Sequence, residues 1–270
     1  MVYIYSMKYV RMFCVFFVVS PAVAQTNFSD GLSVGVGVSA TTGINVLLGY
    51  HNAEYESYLL RHFGVRIDIS GTNALKSAID SAIDSFMGNG LDVGDGVRID
   101  EGSLDAWHGA MLLDFYPMAG AWRISGGYAW GAADLTSSIY GTVATAPSGR
   151  FYFNLAGDHY YYNGNNFSGS ADINWDFHGP YIGTGWDIGL FCDFSLFVDL
   201  GIIFTSRPAR LTLDIPNQQL YIYNTETQVW SPVSIPKLES DVASAQRDAN
   251  RDLSDFRLFP MVKVGFVYQF

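Results

Sequence analysis

Apolar and polar positions alternate along most of this chain with a period of two, so successive side chains leave opposite faces of extended strands. In residues 32–40 (LSVGVGVSA), Leu32, Val34, Val36 and Val38 share one face, and Ser33, Gly35, Gly37 and Ser39 the other. Ile44, Val46, Leu48 and Tyr50 oppose Asn45, Leu47, Gly49 and His51; Phe63, Val65, Ile67 and Ile69 oppose Gly64, Arg66, Asp68 and Ser70. The same division places Trp107, Met111, Leu113 and Phe115 against His108, Ala110, Leu112 and Asp114, and Trp122, Ile124, Tyr128 and Trp130 against Arg123, Ser125, Gly127 and Ala129. Residues 181–187 (YIGTGWD) form a shorter Gly-rich segment, followed by Phe194, Leu196, Val198, Leu200, Ile202 and Phe204 against Asp193, Ser195, Phe197, Asp199 and Gly201. The closing segment sets Val262, Val264, Phe266, Tyr268 and Phe270 against Met261, Lys263, Gly265, Val267 and Gln269.

These are eight strands of roughly the 9 to 11 residues that a tilted strand needs to cross a bilayer. No segment after the amino terminus holds the ~18 uninterrupted apolar residues of a spanning helix. Unpaired backbone groups cost several kcal/mol each in hydrocarbon, so a sheet can cross only when closed. The pattern therefore predicts an all-β fold: a closed antiparallel transmembrane β-barrel of eight strands over residues 25–270.

The connections agree with this. Residues 116–121 and 187–190 read as tight turns, whereas 71–103, 135–176 and 206–257 are long and polar. If Phe270 ends in the periplasm, both tight turns fall on that side and the long connections outside. Two loop segments have helical periodicity: 73–87, through Leu75, Ile79, Ile83 and Phe86, and 238–256, through Leu238, Val242, Ala245, Ala249 and Phe256. Both read as short loop helices packed on the barrel rim. Residues 152–162 and 211–223 read as strand extensions above the membrane; a ten-stranded barrel results if the first enters the bilayer with a partner.

The first segment is different in kind. Lys8 and Arg11 precede an apolar stretch, and Ala22-Val23-Ala24 gives a small-x-small cleavage site, so residues 1–24 read as a cleaved signal peptide. The exported part keeps 13 basic against 26 acidic residues, and no basic cluster stands out along it. That excludes nucleic acid as a partner. Cys192 is its one cysteine, which excludes an internal disulfide.

Cleavable signal, alternating strands, asymmetric connections and the terminal Phe266-x-Tyr268-x-Phe270 together resemble Gram-negative outer-membrane β-barrels of the small OmpA/OmpX/OmpW-like kind. The resemblance implies an outer-membrane location, lipid and lipopolysaccharide as surroundings, and a monomer. It also implies that Val264, Phe266, Tyr268 and Phe270 are the signal read by the barrel assembly machinery.

Candidate chemistry is sparse. Arg66, Asp68, Asp114, Arg123, Asp193, Asp199 and Lys263 fall on the inward face, where an eight-stranded barrel has room only for side chains. They are expected to form an ion-pair network that plugs the lumen, with Asp114 and Arg123 as the best pair. None of His51, His62, His108, His159 or His178 has a serine two places on, so no His-x-Ser hydrolase pair exists along a strand. Asp92, Asp95, Asp100, Glu101 and Asp105 lack the ligand spacing of an EF-hand, and no metal or cofactor is expected. Gly35-x-Gly37 and Gly183-x-Gly185 lie inside strands and are expected to make room for inward rings. The reading is a non-enzymatic barrel with a structural or surface-interaction role; the alternative is a narrow channel or small-solute barrel.

Overall fold

A computed structural model describes residues 31–52, 56–58, 60–77, 80–81, 91–94, 97–118, 120–142, 151–163, 166–191, 193–215 and 220–270. The expected signal segment lies outside these residues.

Eight strands close into an antiparallel barrel: β1 (Gly31–Ser39), β2 (Gly43–His51), β3 (Phe63–Gly71), β5 (Val97–Phe115), β6 (Trp122–Thr142), β9 (Asn166–Phe191), β10 (Phe194–Phe204) and β14 (Leu258–Gln269). Each pairs with the next in that order, and pairing of β14 with both β10 and β1 closes the ring. The remaining strands are β4 (Leu91–Gly94), β7 (Phe151–Leu155), β8 (Asp158–Tyr162), β11 (Arg210–Asp214), β12 (Leu220–Asn224) and β13 (Val229–Pro232). A long α-helix, α1 (Ile235–Leu253), precedes β14. Among the described residues no helix is long and apolar enough to cross a membrane, which says nothing against a barrel.

The alternation divides the molecule as the sequence predicts. Val36 is 57% exposed and Met111 59%, whereas Asp68 and Phe197, on the opposite faces of their strands, are each 0% exposed. The outside of the barrel is thus an apolar band and the inside is packed. Large inward rings require missing side chains opposite them. A Cβ on Gly37 would lie 2.7 Å from Phe197 Cζ, and one on Gly201 would run into the Tyr181 ring. Gly183 also lies against the Tyr181 hydroxyl, so Gly37 and Gly183 make room for rings as expected, whereas Gly35 lies against Leu47 and Val267, and Gly185 against Asp199 and Arg123.

Both chain ends of the barrel, the 52–62 connection and the turns after β5 and β9 lie at one end, here the terminus end. The loop end carries the connections after β1, β3, β6 and β10. Strands β5, β6 and β9 continue far beyond the rest, so much of the expected 135–176 loop is strand: β6 and β9 pair continuously from Trp122↔Trp186 to Thr142↔Asn166. The expected turn at 187–190 is likewise strand, because β9 runs on to Phe191 and aims Asp187 inward.

Residues 152–162 do not enter the barrel wall, which removes the ten-stranded alternative. They form the hairpin β7–β8 in a separate four-stranded sheet, ordered β13-β12-β8-β7, at the loop end. Residues 211–223 divide between two sheets: β11 extends the barrel wall by pairing with residues 170–174 of β9, while β12 joins the separate sheet. Helix α1 begins at an extended Ser234 with a proline in its first turn, where a missing N–H costs nothing. It covers the inner face of that sheet, with Leu238, Val242 and Ala245 packed on Phe153, Leu155, Tyr160 and Leu220 and on Phe167 of β9. The Asn250 side chain closes a two-way bridge to the backbone of Leu211, 2.7 and 3.0 Å long, which fastens the helix to the barrel extension. Phe256 lies past the helix and is exposed. Of the expected helix at 73–87, Asn73–Leu75 is a 3-10 turn and Lys76, Ser77, Asp80 and Ser81 are α-helical; 78, 79 and 82–87 lie outside the described residues.

Candidate functional site: the barrel lumen

Two polar clusters occupy the lumen. Nearer the terminus end, Asp199 of β10 accepts from two strands at once: Arg66 Nη1 reaches Asp199 Oδ2 at 2.6 Å, and Arg123 Nη2 reaches Asp199 Oδ1 at 2.5 Å. Arg66 Nε lies 3.2 Å from Asp114 Oδ2, and the Ser125 hydroxyl donates to the other oxygen of the same carboxylate. Arg123 Nη1 pairs with Asp187, whose Oδ2 also accepts from the Tyr116 hydroxyl at 3.5 Å. The expected Asp114–Arg123 contact is the longest of the set at 3.9 Å; each residue has a closer partner elsewhere.

Nearer the loop end, Lys263 Nζ donates to Asp68 Oδ2 at 2.8 Å and to His108 Nε2 at 3.0 Å. An ammonium only donates, so His108 Nε2 is the acceptor and the proton of the neutral ring is on Nδ1. That Nδ1–H faces the Ser70 and Thr42 hydroxyls; Ser70 donates to Thr42, and Thr42 donates to Ser39 at 2.9 Å. Asp68 Oδ1 accepts from Asn45 Nδ2 at 2.6 Å. Tyr181, Phe177, Phe259, Met261 and Ile203 fill the rest of the upper lumen, with the Phe177 and Phe259 rings stacked at 4.2 Å.

Of the seven residues expected inside, six are buried in these clusters. Asp193 is exposed in the turn between β9 and β10, where its carbonyl accepts from Gln269 N, so it stands apart. Asn45, Ser70, His108 and Ser125, which the alternation puts on the inward face without assigning them a partner, also join these clusters, and Asp187, Tyr116 and Thr42 are members that the sequence reading did not place there. In all, four carboxylates (Asp68, Asp114, Asp187, Asp199) face three cations (Arg66, Arg123, Lys263) among the described residues. A cavity of ≈ 30 Å³ enters from the terminus end between Tyr116, Asp187, Arg123 and Arg66, room for water and little more.

The remaining histidines have other settings. His51 Nε2 lies 3.0 Å from the Arg61 carbonyl and its ring stacks on Tyr116; His62 Nδ1 lies 2.7 Å from the Tyr58 carbonyl. On the outer wall the fold brings Ser206 to His178, a serine–histidine contact between different parts of the chain. Ser206 Oγ lies 2.9 Å from Nε2 and 3.4 Å from Nδ1. An oxygen that close to both nitrogens sits over the ring edge, off the lone-pair axis that proton transfer to a base requires. Among the described residues no three metal-ligating groups converge. Of the acidic loop, Asp95 lies outside the described residues, and Thr72 donates to Asp105 at 3.4 Å.

No protein-family model matches the chain, and no curated protein matches it. Solved structures do. The chain is similar to CarO of Acinetobacter baumannii, at a TM-score of 0.52 and 15% identity over 91% of this chain and 100% of that one. It is also similar to CarO2 of the same organism, at 0.51 and 15% over 89% and 99%. Likeness at this identity is a likeness of fold.

Proposed function

We propose that the chain is an integral outer-membrane barrel that seals its own lumen and acts through its loop-end sheet and helix, in a structural or surface-interaction role without catalysis. One observation carries the reading: an apolar belt outside and interlocked ion pairs inside, the inverse of a soluble protein. The amino-terminal segment reads as the export signal, the terminus end as periplasmic, and the final Phe266-x-Tyr268-x-Phe270 as the mark recognised by the assembly machinery. The likeness in fold to CarO supports a barrel of this size. Fractionation with the outer envelope, heat-modifiable migration on gels and absence of steady pore currents in planar bilayers are the expected results. Recovery as a dissolved periplasmic protein would overturn the location, and steady currents the seal.

A second reading has one observation of its own. The cavity at the terminus end reaches Arg66 and Arg123, so joint movement of these side chains and of the Lys263 and aromatic layer above them would lengthen it into a narrow path. Solute-dependent swelling of liposomes carrying the protein would favour this channel.

A further inference from the structure

The terminus-end cluster of the lumen does not balance. Asp114, Asp187 and Asp199 share the guanidiniums of Arg66 and Arg123, and Asp199 draws on both. The loop-end cluster lends no cation, because Lys263 is matched by Asp68. One negative charge is therefore left over in the lower lumen, where an uncompensated charge is costly. The cavity of ≈ 30 Å³ opens on this cluster: Asp114, Asp187, Arg66 and Arg123 all line it. Strand order brings further oxygens to the same space. β9, β10 and β14 are successive in the wall, and Asp187, Ser195 and Gln269, one from each, line the cavity. Asp187 stands opposite Phe197, and Ser195 lies two positions along β10 toward the terminus end, so the two are diagonal neighbours on the inward face. Ser195 is 7% exposed, and its hydroxyl has no hydrogen-bond partner among the described residues. A buried hydroxyl in that position is an unused acceptor. At Asp187, Arg123 and Tyr116 both meet Oδ2, and no hydrogen bond among the described residues ends on Oδ1.

We propose that this cavity is a site for one monovalent alkali cation, held by the Asp187 carboxylate with the Ser195 hydroxyl as a neutral ligand. Hard cations take oxygen donors of this kind. The leftover charge fixes the valence: a divalent ion would overshoot it and leave an excess positive charge beside two guanidiniums. The volume admits an ion that has shed most of its water and excludes bulky organic cations. A proton shared among the carboxylates would cancel the same charge, but it gives no use to the hydroxyl or to the space. The inference goes beyond the sealed-barrel reading, since it concerns what the folded lumen binds rather than how the loop end acts.

The test is thermal unfolding of the full chain in detergent, with sodium chloride replaced stepwise by N-methylglucamine chloride at constant ionic strength, which holds screening fixed. Sodium is expected to raise the midpoint by about 2–4 °C and to saturate. Asp187→Asn is expected to abolish that rise, and Ser195→Ala to move its half-saturation to about tenfold more sodium. Thr227→Ala, in the hairpin between β12 and β13, is expected to keep the parent's response. A parent midpoint indifferent to sodium, as a shared proton would give, overturns the site. A response kept in Asp187→Asn overturns its placement, and one unchanged in Ser195→Ala overturns the hydroxyl ligand. Heat-modifiable migration of the same samples reports whether each variant forms the barrel; should Asp187→Asn fail to do so, the comparison of Ser195→Ala with the parent decides.

Discussion

Lys263 of the last barrel strand and Asp68 of the third, 195 positions apart, meet in the lumen at 2.8 Å. With Asp68 wholly buried and Lys263 nearly so, each charge depends on the other. Lys263→Met is therefore expected to destabilise the barrel by about 3–5 kcal/mol, because it strands a carboxylate away from water. Adding Asp68→Leu should restore much of that loss. Thermal unfolding in detergent, followed by heat-modifiable migration, checks both; equal midpoints for Lys263→Met and parent would refute the dependence.

The lower cluster predicts an order of damage. Arg123→Leu removes the cation shared by Asp187 and Asp199, whereas Asp187→Asn removes one member of a set that already has more carboxylates than cations. The first should cost about 3–5 kcal/mol, the second about 1 kcal/mol. Unfolding midpoints in the reverse order would show that Arg123 is not the hub of the network.

Tyr181 and Gly201 make a steric pair. Gly201→Leu should cost about 1–3 kcal/mol by forcing the ring off its seat, and Tyr181→Ala about 3–5 kcal/mol by opening a cavity. The double change should cost less than the sum, a coupling that a double-mutant cycle measures. Simple additivity would mean that the ring does not rest on the glycine.

Position along the outer wall sets the tolerance to charge. Val36→Lys, midway along β1 on the exposed face, should cost about 2–4 kcal/mol and lower the yield of folding into vesicles. Thr227→Lys, in the hairpin between β12 and β13, should do neither. Equal folding yields would argue against lipid contact at β1.

The loop-end sheet has its own pH limit. Burial and the hydrogen bond to Asp241 push the Tyr160 phenol above its ordinary range, and bonds to Asp158 and Asp241 raise the Lys237 ammonium. For groups with raised folded-state values, the stabilisation is complete below the unfolded values, near pH 10, and is lost as pH rises through the folded ones. Limited proteolysis should therefore cut the connections around β8 and α1 above about pH 10 while the barrel persists. Tyr160→Phe, which cannot ionise, should narrow that change; an unaltered pH profile would exclude Tyr160 as a cause.

How much of this was legible follows from which interactions are local. Alternation reports the two faces of a strand directly, so the wall and six lumen charges could be assigned from residues such as Val36 against Gly37 or Ile67 against Asp68. Asp187 was missed because YIGTGWD reads as a strand reaching a turn, and only the pairing of β9 with β10 shows that it continues. Asp193 was misplaced by the same error, being counted inward when it caps the turn. The loop-end sheet was obscure for another reason: FYFNL and DHYYY have the aromatic, extended signature of spanning strands, and only their pairing with β12 and β13 separates them. His178 and Ser206 are brought together by the bend after β10, which no spacing along the chain encodes.

Strand β14 carries both the seam of the ring and, in Lys263, the cation that Asp68 requires. A half-assembled sheet, with its final strand still undocked, therefore keeps a bare anion facing whatever medium surrounds it. Zipping the last edge and cancelling that charge are the same event. Completion is thus rewarded electrostatically at the moment it becomes geometrically possible, and an incomplete barrel is penalised for entering hydrocarbon too early.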